Sequence, residues 1–255
     1  MSTLLCVPSG KRSKEARRKA TVPKPPTSQP RVSRRIVAAA GAAIALAAIA
    51  TGLAAAFTGG SSPGPTQDTS LGRLVSPGPL GSPGPEGPPI EGGLDVAPAG
   101  APAPGTSVDG IQCGPTEQLV FHIHARLTIF VGGRSVRVPA GVGIANPQAQ
   151  GSPRGAFVVS GACFAWLHTH AADGIIHMES PIQRTFTVGN FFDVWKQPLG
   201  PTRVGPAHGR VVAFVNGKLW HGDPRSIPLH AHTQVQLDVG RPLVGPVHIS
   251  SWSGL

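Results

Sequence analysis

Along residues 119–131 (LVFHIHARLTIFV) apolar and polar side chains alternate, and Gly132-Gly133 breaks the run before RSVRVPA. Alternation sends successive side chains to opposite faces of an extended chain, so this stretch predicts a β-hairpin closed by a glycine turn. RVVAFV and KLW on either side of Asn216-Gly217 predict a second hairpin, and HTQVQLDV at 232–239 predicts a last strand. Helical spacing stands out once: Val188, Phe191, Phe192 and Trp195 follow Thr187, a candidate cap, at i, i+3, i+4 and i+7, and Pro198 closes the pattern. These aromatics are read as the packing face of one short helix. The expected fold is mainly β, a sandwich or small barrel, with that single helix.

The patterning changes upstream. Residues 36–57 (IVAAAGAAIALAAIATGLAAAF) are 22 positions without a charge, enough for about 30 Å of hydrocarbon as a helix, and they predict a transmembrane helix. Residues 58–106 show neither period; Gly, Pro, Ser and Ala dominate, and SPGP recurs at 62–65, 76–79 and 82–85. That composition predicts a disordered, polyproline-like linker. The chain is thus divided into a basic cytoplasmic tail (1–35), a transmembrane helix (36–57), a Pro/Gly-rich linker (58–106) and an extracytoplasmic His-rich β domain (107–255).

Charge fixes the expected orientation. Residues 1–35 carry ten Lys/Arg against Glu15, a net +9, whereas the linker is at −3 and the domain at +4. The basic run has no aromatic residues to stack on bases and no reading helix after it, which argues against nucleic acid. Beside an apolar span it predicts a single-pass protein of the cytoplasmic membrane, N-terminus in and C-terminal domain outside. Two other readings of the N-terminal region stand: Ala54-Ala55-Ala56 as part of a signal-peptidase site, and Ser33-Arg34-Arg35 as a twin-arginine export signal. The implied partners are the membrane, through 36–57, and a metal ion.

The metal expectation comes from histidine. All ten histidines lie in the β domain, and three of them, with a glutamate, fall within WLHTHAADGIIHMES at 166–180. If residues 171–174 connect a hairpin, His168 opposes His177 and Trp166 opposes Glu179, so His168, His170, His177 and Glu179 share one face and Leu167, Thr169, Ile176 and Met178 the other. Opposed Cβ atoms then lie about 5 Å apart and i, i+2 neighbours about 7 Å, within reach of one ion. His122 and His124 repeat the spacing on a strand where bare imidazole is costly to bury. His122, His124, His168, His170, His177 and Glu179 are therefore the candidate metal ligands, against the alternative of a hydrogen-bonded polar face. His230 and His232 share the spacing beside Pro228; His208, His221 and His248, near Gly or Pro, are read as surface residues, and Asp173 as a turn cap.

Cys113 and Cys163 are the only cysteines after residue 57, a pair expected to form a disulfide in an oxidising compartment. Thiolate ligation of a soft metal is the competing reading. A nitrogen-rich set with one carboxylate suits zinc, copper(II) or iron(II). Three functions remain open: metal binding or handling, a metal-dependent oxygenase or hydrolase, and a non-metal cell-surface interaction module.

FHIHARLTIFVGG, VPAGVGI, C-x-x-WLHTHAADGIIHMESP, FTVGNFFDVW and the late VNG hairpin together resemble an uncharacterised prokaryotic family of membrane-anchored exported domains with FHIHxxLxIFVNG and WLHTHxxxGIIHIESP motifs. The resemblance spans roughly 119–240 and implies that the six candidate ligands are signature positions; it supplies no reaction. His-x-His on a strand is also similar to the metal signature of cupins, but Ile144 stands where their later ligand histidine belongs, so that likeness is one of architecture.

Overall fold

The computed structural model describes residues 69–255. The basic tail and the expected transmembrane helix at 36–57 lie outside the described residues, among which no helix is long and apolar enough to cross a membrane. The described chain is built mainly of β-sheet with one short α-helix.

The alternating run forms an eleven-residue strand, β1 (Phe121–Val131), and Gly132 and Gly133, both left-handed, return the chain into β2 (Arg134–Val136). β3 (Leu167–His168) and β4 (Ile175–Ser180) form the second arm of the sheet. The helix α1 (Val188–Trp195) follows, then β5 (Val211–Val215), β6 (Lys218–Trp220) and β7 (Gln234–Val239). Asn216 and Gly217, both at positive φ, make the tight turn between β5 and β6 that their sequence predicts. The sheet runs β6-β5-β7-β1-β4-β3, with β2 beside the far end of β1. The length of β1 lets it serve two partners: residues 121–126 pair antiparallel with β4, and residues 126–131 pair parallel with β7.

Pairing sorts the side chains of this sheet into two unlike faces. Ala125, Leu127 and Ile129 of β1, Ile176 and Met178 of β4, and Val235, Leu237 and Val239 of β7 enter one apolar core, which α1 joins through Phe191, Phe192 and Trp195. The helix starts with a capping box, Thr187 accepting from the Asn190 amide while the Asn190 side chain accepts from the Thr187 amide. It ends at Lys196, whose left-handed conformation terminates it ahead of Pro198.

The opposite face is largely polar and nonetheless buried: His124, Arg126, Thr128, His177, Glu179, Gln234, Gln236 and Asp238 are all covered, with Phe130, Val212 and Phe214 the apolar exceptions. Irregular chain does much of the covering. At one end the C-terminal segment runs past β7, where Asp238 accepts from the Val244 amide at 2.6 Å, Gln236 accepts from Val247 at 2.8 Å, and Gln234 both accepts from the Ile249 amide and donates to its carbonyl. These side chains, together with a backbone bridge between Val244 and Val75, satisfy the buried backbone groups of the tail.

At the other end the cover is the Pro/Gly-rich stretch expected to be a disordered linker. Over its described part, Leu71 and Ala97 are buried, the Val96 amide donates to the Arg137 carbonyl at 2.9 Å, Glu91 pairs with Arg126, and Glu86 reaches His177. The segment has no periodicity because it forms no layer of its own; its order comes from backbone and carboxyl groups satisfied by the chain it lies on and from apolar contacts such as Leu71 with Val212, Phe214 and Leu243.

A smaller four-stranded sheet, ordered Ser107–Val108, Ile111–Gly114, Cys163–Ala165, Ile144–Ala145, flanks the first. Cys113 and Cys163 are joined by a disulfide across its two central strands, which excludes thiolate ligation by either. The bridge closes a separation of 50 residues, for which chain entropy gives about 4 kcal/mol. Urea unfolding of Cys113→Ala/Cys163→Ala should therefore show a loss of that order, and a stability equal to wild type would contradict it.

Candidate metal centre

Strand register assembles the histidines. On β4, His177 is opposed by His124 of β1 on one side and by His168 of β3 on the other, so three adjacent strands contribute a row of three imidazoles. One step along, Glu179 stands opposite His122 and its amide donates to the Trp166 carbonyl at 2.8 Å. The expected opposition of His168 to His177 and of Trp166 to Glu179 is therefore present. His170 follows β3 and joins the same face. Its backbone carbonyl accepts from Val158 at 2.9 Å, which ties it to the outlying hairpin of Gln148–Ser152 and Gly155–Ser160.

The turn that sets this register needs glycine. Gly174 is left-handed, and a Cβ there would collide with the Leu127 carbonyl oxygen, which belongs to the neighbouring strand β1. Asp173 behaves as the expected turn residue, its carboxylate accepting from the Ile175 amide at 3.3 Å, but it is buried.

Among the described residues, two groups of side chains come close enough to hold an ion. In one, His168, His170, His177 and Glu179 present ligand atoms all within 4.8 Å of one another; in the other, His122, His124 and His177 do the same. The first group is buried throughout, with exposures of 0, 6, 6 and 2% in that order. In the second, the His122 side chain is 35% exposed. His177 is common to both.

The imidazoles of the first group are oriented by the backbone. His168 Nδ1 lies 2.8 Å from the Ala165 carbonyl oxygen and His170 Nδ1 lies 2.6 Å from that of Val158. A carbonyl oxygen only accepts, so each Nδ1 carries a proton and donates it. The two Nε2 atoms are then turned on each other at 3.1 Å. Phe157 stacks on His170 with ring centroids 4.8 Å apart and holds that ring in place. Backbone carbonyls fixing Nδ1 while Nε2 faces inward is the arrangement by which proteins orient metal-bound histidine.

Electrostatics divides the rings. Burial, together with the neighbouring rings of His177 and His170, pushes His168 well below the ordinary imidazole range, so it is neutral with a bare Nε2 lone pair. Burial and the adjacent His177 and His122 likewise push His124 down to about 3. Burial opposes charge on His177 too, but Glu179 and Glu86 outweigh it and raise that ring to about 9. Glu86 Oε1 is 2.6 Å from His177 Nε2, and Glu179 Oε1 is 3.3 Å from its Nδ1. Burial first, and then the nearby Glu86, pushes Asp173 up to about 7.

Each sequence candidate has a definite place. His122, His124, His168, His170, His177 and Glu179 all converge on this face. His230 and His232 do not: β7 begins at Gln234, His232 sits left-handed in the preceding turn, and its Nε2 donates to the Leu255 carbonyl oxygen at 2.9 Å while its ring stacks on Trp252. His208, His221 and His248 are exposed, as expected. Sequence reasoning missed Glu86 and Glu117, the latter 3.3 Å from His170 Nε2. Neither lies in a periodic element, and the only signal was a lone acid in an otherwise uncharged run, SPGPEGPP for Glu86 and CGPTEQLV for Glu117.

No protein-family model, curated protein or solved structure matches this chain.

The raised value of His177 gives a pH dependence with a definite sign. Between about 6.5 and 9 the folded protein keeps a proton on His177 that the unfolded chain has released, so stability conferred at lower pH is lost as pH rises through that window. The urea midpoint of metal-free protein should fall from pH 6.5 to pH 9, and His177→Gln should flatten the fall. An unchanging wild-type midpoint across that range would contradict the assignment.

Proposed function

We propose that this chain is a single-pass membrane protein that presents a metal-binding β domain outside the cytoplasmic membrane, and that it binds or handles a divalent transition metal. The observation that carries the reading is the pair of Nε2 atoms of His168 and His170, 3.1 Å apart, each ring having committed its Nδ1 proton to a carbonyl. A buried neutral His168 has no second proton to offer. Something positive must sit at that meeting point, either a proton on His170 or a cation. A cation also answers Glu179 Oε2, a buried oxygen with no hydrogen-bond partner.

The donors favour zinc, copper(II) or iron(II), which accept imidazole and carboxylate together. Four of them, His168, His170, His177 and Glu179, offer four ligand atoms within 4.8 Å of one another, the number a closed tetrahedral set needs. Catalytic zinc sites keep a position open for water, whereas closed sets hold metal. That favours binding or handling over turnover. The disulfide suits an oxidising compartment, and the basic run before the apolar span of 36–57 supports export of everything after it.

The full-length chain, purified without chelator, should carry zinc, copper or iron by elemental analysis. Stripping it should lower the unfolding temperature by roughly 5–10 °C relative to protein in zinc at a hundredfold excess over its dissociation constant. His168→Ala/His170→Ala should remove that difference. A wild type that retains no metal and shows no shift with zinc, copper(II) or iron(II) would defeat the proposal in favour of a non-metal interaction module.

A further inference from the structure

The geometry points to two ions rather than one: a second position formed by His122, His124 and His177 beside the buried position of His168, His170, His177 and Glu179, with the Glu179 carboxylate between them and His177 giving one ring nitrogen to each ion, which requires the ring to bind as imidazolate and to release to solvent the two protons it now directs at Glu86 and Glu179. This inference rests on the proposed metal-binding reading and extends it to the number of ions.

Three observations carry it. The first is the orphaned nitrogen. His124 is 8% exposed, and its Nε2 is buried with no hydrogen-bond partner. An ion seated among His168, His170, His177 and Glu179 leaves that nitrogen as it is, because His124 is outside that set. An ion held with His122 and His177 gives it a partner. A neutral imidazole turned inward with a free nitrogen is costly unless something occupies the space it faces.

The second is the position of Glu179. Its Oε1 lies 3.0 Å from His122 Nε2, 3.3 Å from His177 Nδ1 and 3.9 Å from His168 Nε2, so one carboxylate oxygen reaches ligands of both sets. Its Oε2 is buried and unpartnered. A carboxylate with one oxygen against imidazoles of both sets and the other unpartnered is placed to bridge two cations once those imidazoles give up the protons they direct at Oε1.

The third is the supply of carboxyl groups. Glu86 meets His177, Glu117 meets His170, and Glu179 meets His122 and His177. A single divalent ion in a closed set needs two negative charges at most for neutrality, and a third carboxyl group on the same cluster suits a larger positive charge. The second position also reaches solvent through the part-exposed His122.

The test counts ions on the full-length chain, stripped with chelator and dialysed to saturation against zinc(II). Wild type should hold two per chain and His122→Ala/His124→Ala one. Wild type with one, undiminished in that variant, would overturn the second position while leaving the buried one standing. Two in both proteins would place the extra ion elsewhere and also overturn it. None in wild type would defeat the metal reading itself. A measurement on wild type alone guards against a variant that fails to fold: with copper(II), the electron paramagnetic resonance signal should be that of an isolated ion at one equivalent and of a coupled pair at two. Two isolated signals at two equivalents would overturn the shared-ligand arrangement.

Discussion

The interaction on which the rest depends is the crowding of imidazoles on a buried face of the central sheet. Five histidine rings, from His122, His124, His168, His170 and His177, lie with neighbouring centroids 4.5–5.8 Å apart. Such a cluster is unstable by itself: protonating one ring disfavours the next, and burying them all neutral leaves donors and acceptors unmatched. The lowered His168 and His124 and the raised His177 show the protein splitting that conflict, keeping two rings bare and placing charge where two carboxylates meet it. A metal ion resolves the same conflict without a proton.

The architecture around the cluster follows from having a polar face that must be buried. Strand pairing makes the face; it does not cover it. Part of the cover is the hairpin of Gln148–Ser152 and Gly155–Ser160, whose Phe157 and Val158 hold His170; the rest is chain outside the sheets, residues 69–106 and the segment after β7, each held in part by side chains of the face itself. Gln234, Gln236 and Asp238 bind the C-terminal segment, while Arg126, Thr128 and His177 bind the Pro/Gly-rich one through Glu91 and Glu86. The disulfide contributes at one remove. It fixes the strand Cys163–Ala165, whose Ala165 carbonyl orients His168.

Much of this was legible in the sequence, for a definite reason. Period-two alternation and glycine turns are local signals, and they placed both hairpins, the final strand and the opposition of His168 to His177 correctly. The capped aromatic helix was equally local. What the sequence could not convey was pairing between distant segments: nothing in FHIHAR or GIIHMES says that β1 lies beside β4 with His124 against His177. The Pro/Gly-rich segment misled for a related reason. Its composition reports that it builds no core of its own, and is silent on whether another surface will hold it, so Glu86 was invisible. His230 and His232 had the right spacing, but the left-handed turn at His232 and the late start of β7 take them off the face.

The central claim is that His168 and His170 both offer Nε2 to a cation while their Nδ1 protons stay on the Ala165 and Val158 carbonyls. Long-range proton–nitrogen correlation spectra of the histidine side chains, recorded on stripped and zinc-loaded protein, test it most directly. Zinc should shift Nε2 of both rings as ligation does and leave each Nδ1 protonated. Rings that keep a proton on Nε2, or whose nitrogens do not respond to zinc, would contradict the account.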